Sequence, residues 1–135
     1  MTVAPHTLID TLQGPIMAKD TKVGTLVRTM HHLNGRWDNW PVTHVSEAKN
    51  NVWTLEMQDG RTLDFAANHR FYTSYGWVEL QQLKHGDYIR GTHPGLVAKI
   101  HEKSRNSSVI EITVDGPSTY ETSGLLSHNI KNVEP

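Results

Sequence analysis

Thr11-Leu-Gln-Gly-Pro-Ile-Met-Ala-Lys-Asp-Thr-Lys-Val-Gly-Thr-Leu-Val-Arg28 returns later in the chain as Thr73-Ser-Tyr-Gly-Trp-Val-Glu-Leu-Gln-Gln-Leu-Lys-His-Gly-Asp-Tyr-Ile-Arg90. Both stretches read T-x-x-G-x-[IV]-x5-K-x-G-x-x-[VI]-R, so seven positions coincide without a gap. Two copies at this wide spacing imply a duplicated core, since a solenoid needs more and shorter repeats. A second echo follows each copy. Trp53–Asp59-Gly60 and Val109–Asp115-Gly116 both alternate and end in Asp-Gly. Alternation is the mark of a half-buried strand, and Asp-Gly supplies the positive φ of a tight hairpin turn.

Outward from the repeat, strands are expected at Leu26–Met30, Val42–Glu47, Val52–Met57, Thr62–Phe65, Arg70–Ser74, Tyr88–Thr92, Leu96–Glu102, Val109–Val114, Thr119–Thr122 and Leu125–Ser127. Gly, Asn, Asp and Pro punctuate them. Trp77–Lys84 is the one stretch expected to form a helical turn or two. Met30–Trp40 and Lys103–Ser108 read as polar loops. The expected class is all-β, in one domain, because 135 residues bury one core but hardly two.

Composition narrows the function. The net charge is −1 with basic and acidic residues interspersed, which offers no basic face to nucleic acid. No run approaches the ~20 apolar residues of a membrane span, and the start Met1–His6 lacks the character of a signal peptide. A soluble, cytoplasmic, monomeric protein is the expectation, with no nucleic-acid or membrane partner. Cysteine is absent, so covalent chemistry must run through oxygen or nitrogen, indifferent to reductant. His31 and His32 stand without neighbouring ligands at metal spacing, so neither a metal nor a cofactor is expected. Trp37, Trp40, Trp53 and Trp77 read as packing residues and not as a base-stacking platform.

Three further stretches carry a family resemblance. Phe65-Ala-Ala-Asn-His-Arg-Phe-Tyr-Thr73, then Gly76-Trp77, then Leu83-Lys-His-Gly-Asp-Tyr-Ile89 resembles the intein motif T-x-x-H, GW, L-K-x-G-D-x-[IV]. Val109–Asn129 is similar to the closing blocks of that family, which end in His-Asn. Thr2–Gly14 is similar to its opening block. The resemblance runs from Thr2 to Asn129 and implies the Hint fold, a β-horseshoe duplicated about a pseudo-twofold axis. It divides the chain into an intein proper, 2–129, and a flanking tail, 130–135.

By that resemblance Thr2 is the first nucleophile, His69 the proton donor at the first scissile amide, and Asn68 its helper. Glu111 falls where the family often has an Asp that couples the two ends. A charged residue on the polar face of an edge strand accounts for Glu111 equally well. Asn129 would cyclise onto its own carbonyl, assisted by His128. Ser118 stands at a family His position. The chain departs from the pattern at Thr2, where Cys or Ser is usual; at Ala66, the Thr of T-x-x-H; and at Ile130, where splicing inteins carry Cys, Ser or Thr. Without a nucleophile at 130 the acyl group has nowhere to go, so cleavage is expected in place of ligation. The implied partners are flanking extein segments in cis, or a complementary fragment if the domain is split. Two other assignments remain open: a bacterial intein-like autoprocessing domain, and an inactive Hint fold serving as a structural or binding module. Ala66, Thr2 and Ile130 favour the inactive module; His69, His128 and Asn129 oppose it.

Overall fold

The structure, a computed structural model, describes residues 2–30, 35–115 and 119–128. Among these are twelve strands: β1 (Thr2–Val3), β2 (Leu8–Thr11), β3 (Gly14–Met17), β4 (Leu26–Met30), β5 (Trp37–Met57), β6 (Thr62–Ala66), β7 (Arg70–Thr73), β8 (Gly76–Glu79), β9 (Tyr88–Ile89), β10 (Gly95–Val114), β11 (Thr119–Thr122) and β12 (Leu125–His128). Eleven of them hydrogen-bond along one path, β11-β12-β7-β9-β10-β1-β6-β5-β4-β2-β3. β8 pairs with β7 off this path, β10 pairs also with β5, and β11 pairs with β2, which brings one end of the path against the strand next to the other. All described pairings are antiparallel. The chain is all-β, as expected from its alternation and turns.

The repeated sequence makes a repeated structure. In each copy the leading threonine, Thr11 or Thr73, donates its hydroxyl to the carbonyl of Gly14 or Gly76 and accepts the N–H of Gln13 or Tyr75. A short strand follows, then one 3-10 turn, Ala18–Asp20 or Leu80–Gln82. Gly24 and Gly86 then donate their N–H groups to Val42 and Val97. The equivalence reaches back beyond the motif. Ala18 N–H donates to Thr7 carbonyl and Leu80 N–H to His69 carbonyl, which makes Thr7 the counterpart of His69. Equivalent positions form the core in pairs: Val3 and Phe65, Ile9 and Phe71, Ala18 and Leu80, Val27 and Ile89 are each fully buried. Such matched burial is what a duplicated half-barrel requires, because each half supplies the same apolar face to a shared interior.

The first strand of each half is exchanged. β1 lies between β10 and β6, with Val3 opposite Phe65, its own counterpart in the other half. Thr7 Oγ1 donates to the Asp64 carbonyl at 3.0 Å, while His69 Nδ1 stands 3.2 Å from the Thr2 carbonyl oxygen. These two contacts are one contact repeated across the pseudo-twofold axis.

Several expected boundaries differ from the observed ones. Trp37–Trp40 is not a loop but the start of β5, and Lys103–Ser108 lies inside β10. The two long strands pair from Val97↔Met57 to Val114↔Val42 with four irregularities, and their exposed middle carries polar residues on both faces. Of Trp77–Lys84 only Leu80–Gln82 is helical, while Trp77–Glu79 belongs to β8. Trp40 and Trp53 pack against the core. His31, His32 and Ser118 lie outside the described residues.

Candidate active site

β1 brings Thr2 into the barrel beside β10, in register with Glu111. Directly opposed residues of an antiparallel pair project to one face, so the hydroxyl and the carboxylate share a side of the sheet. Thr2 is 2% exposed, and its Oγ1 is buried without a hydrogen-bond partner among the described residues. Glu111 is paired on both sides, with Thr2 on β1 and Ser46 on β5, so it does not lie on an edge strand. Its Oε1 accepts from Ser46 Oγ at 3.4 Å, and Ser46 Oγ lies 3.1 Å from His44 Nε2.

His69 ends the turn between β6 and β7, where its N–H donates to the Ala66 carbonyl. The imidazole is fully buried, stacked on Phe65 at 4.7 Å and tilted against Phe71 at 4.6 Å. Nδ1 faces the Thr2 carbonyl, and Nε2 lies 2.8 Å from Ser127 Oγ on β12. Burial pushes the His69 pKa down to about 3, against the opposing effect of the Thr2 carbonyl bond, so the ring is neutral at physiological pH. Asn68, on the same turn, holds its Oδ1 buried with no partner among the described residues.

His128 closes β12, opposite Arg70 on β7 and Thr119 on β11. It is 4% exposed and meets the Trp77 ring edge-on at 4.8 Å. Asn129 follows it directly and lies outside the described residues. The structure thus brings Thr2, His69 and the strand leading to His128 together, with Glu111 across the ladder from Thr2.

Two residues in this cluster escape a sequence reading. Ser127 interrupts a strand whose four residues are all buried, and Thr122 Oγ1 lies 2.8 Å from Ser127 Oγ. The one signal in the sequence is a hydroxyl placed directly after Leu125-Leu126 in a segment with no exposed face. No group of three or more His, Asp or Glu side chains among the described residues is arranged to hold a metal ion, and no helix there is long and apolar enough to cross a membrane.

A duplicated all-β barrel whose first and last strands meet at one buried histidine has the fold of the inteins, the Hint fold. The chain superposes on the crystal structure of a DnaB intein from Synechocystis sp. PCC 6803 with a TM-score of 0.87 at 22% identity, covering 96% of this chain and 99% of that one. It superposes on the solution structure of a bacterial intein-like domain from Clostridium thermocellum with a TM-score of 0.87 at 20% identity, over 95% and 98% of the two chains. For a DnaX mini intein from Spirulina platensis the values are 0.80, 18%, 96% and 100%. No family model matches the sequence, and no curated protein does.

Proposed function

We propose that this chain is an autocatalytic protein-processing domain of the splicing type, acting once, in cis, on the segments that flank it. The observation that carries the reading is the convergence of both ends on His69, whose two ring nitrogens touch Thr2 and Ser127. Residues 2–129 are the domain and 130–135 its tail. At the first bond Thr2 Oγ attacks the carbonyl carbon of residue 1. A C–O bond forms, the C–N bond breaks, and the Thr2 nitrogen takes up a proton in exchange for the one its hydroxyl gives up. His69 holds its N–H at that same residue, and Asn68 and Glu111 are the polar groups beside it. A hydroxyl on a χ1-stiff threonine is a slow nucleophile, which puts the weight of activity on the far end.

At that end the Asn129 side-chain nitrogen attacks the Asn129 carbonyl carbon, closing a succinimide. The bond to Ile130 breaks, and its nitrogen leaves with a proton supplied through His128. Ile130 has no nucleophile to receive an acyl group, so the outcome is release of the tail and not ligation. The test is intact mass during incubation near neutral pH. The wild-type chain should lose residues 130–135 over hours, Asn129→Ala should keep them, and His128→Ala should slow the loss at least about a hundredfold. A tail retained indefinitely by the wild type, or lost equally fast from Asn129→Ala, overturns the reading.

A further inference from the structure

Each ring nitrogen of His69 has a different kind of partner, and this fixes where its single proton sits. Nδ1 lies 3.2 Å from the Thr2 carbonyl oxygen, which can only accept. The neutral imidazole carries one N–H, so a bond to that carbonyl places the proton on Nδ1 and leaves a lone pair on Nε2. Ser127 Oγ, at 2.8 Å, must then be the donor to Nε2. Having given its only proton, Ser127 accepts from Thr122 Oγ1, also at 2.8 Å. Thr122 has a longer alternative, the Leu125 carbonyl at 3.4 Å. If Thr122 turned there, Ser127 would donate to Thr122 and accept from Nε2–H, leaving the Nδ1 lone pair against the Thr2 carbonyl oxygen. That arrangement opposes two lone pairs inside a fully buried site, where an unmade hydrogen bond is costly.

We propose that Ser127, backed by Thr122, is a positioning residue that locks His69 as the Nδ1–H tautomer and so holds its N–H on the Thr2 carbonyl. All three side chains are fully buried, so no bulk water substitutes for the lost donor. The lock also ties the first strand to the last, because His69 joins Thr2 on β1 to Ser127 on β12. The hydroxyls reach His69 only when the β11–β12 hairpin is seated, and the tautomer thereby reports that the C-terminal end is in place. The tautomer is a property of the resting fold. Its bearing on cleavage rests on the autocatalytic reading above.

The deciding measurement is long-range proton–nitrogen correlation on histidine-labelled protein, with His69 assigned by its loss in His69→Gln. In the wild type, Nδ1 should show the protonated signature and Nε2 the bare one. Ser127→Ala should shift His69 toward the Nε2–H form or a mixture of both, while Ser127→Thr, which keeps the hydroxyl, should retain the wild-type pattern. A wild-type ring protonated on Nε2 overturns the proposal before any variant is made, and so does a folded Ser127→Ala with an unchanged ring. For a reporter protein joined ahead of Thr2, freed when water hydrolyses its ester to Thr2 Oγ, Ser127→Ala should slow release about tenfold and Ser127→Thr should restore it. If the tautomer follows the hydroxyl but no variant or wild type releases anything, the lock stands and the autocatalytic reading fails.

Discussion

At the scale of single residues, the fold strongly perturbs the titration of Glu121. It is fully buried on β11, where Thr92 donates its N–H to Oε2 and its hydroxyl to Oε1, each at 2.6 Å. Asp10 of β2 shares a hydrogen bond with it and accepts the Gly124 N–H at 3.0 Å. Burial raises both carboxyls, and with the Asp10 charge and hydrogen bond added it brings Glu121 to about 7 against the pull of the Thr92 donors; for Asp10 the Gly124 N–H, the Glu121 bond, Arg28 and His93 pull downward. Two carboxylates this close titrate as a pair, with one proton held between them. The sign follows from which state keeps that proton. Above the ordinary value of 4.5 the unfolded chain has lost it while the folded chain holds it until about 7. Stability therefore falls as pH rises through that window and levels off above it. Glu121→Gln keeps a donor toward Asp10 at every pH. In urea melts at pH 5 and pH 8, the wild type should lose stability between the two, and Glu121→Gln should lose less and be the more stable at pH 8. An equal slope in both would place the shared proton elsewhere.

At the scale of elements, the sequence made the duplicated turns legible and concealed the long strands. Thr11 and Thr73, Gly24 and Gly86 are turn chemistry, and local backbone demands select the same residues in both halves. Periodicity, by contrast, speaks only where one face is buried. Lys49–Asn51 and Lys103–Ser107 lie mostly exposed on both sides of the β5–β10 ribbon, so they read as loops although they are paired. β1 is two residues long and has no pattern to show. Thr2, His69 and His128 were legible through the motif that contains them. Ser127 and Glu121 were not, because their meaning comes from strands distant in sequence. A further contact of this kind seats the β11–β12 hairpin. The Leu126 N–H donates to the Arg90 carbonyl, the His93 N–H to the Gly124 carbonyl, and a Cβ on Gly91 would stand 2.0 Å from that Gly124 oxygen. Backbone cannot yield there as a flexible side chain would. Gly91→Ala should cost about 1–3 kcal/mol in denaturant unfolding and slow release of the tail, by lifting the hairpin that carries Ser127 and His128. Wild-type stability with wild-type release in this variant would show that the hairpin seat is not tight.

At the scale of the whole molecule, the exchange of β1 and β6 makes the two halves mutually dependent. Val3 and Phe65 sit opposite each other on the pseudo-twofold axis, both fully buried. Removing two methyl groups there in Val3→Ala should cost about 2 kcal/mol, from transfer and cavity together. Amide exchange of Thr2 and Val3 should rise more than that of β7, since β1 has little else to hold it. Equal loss of protection across the barrel would mean that β1 is not a separable unit. The reciprocal contacts made by Thr7 and His69 show how duplication was put to use: one copy of the position keeps a hydroxyl and the other carries an imidazole. The same exchange sets a clock on biosynthesis. Within the domain Thr2 is made first, yet the seat of its strand is bounded by Phe65 on one side and by Ile110 and Glu111 on the other. At a ribosomal pace of 5–20 residues per second, Glu111 follows Thr2 by roughly 5–20 s, and it must also clear the exit tunnel. Throughout that interval Thr2 exists without the pocket that holds it in the finished fold, so the chemistry proposed for it has to wait until the second half of the barrel has been made.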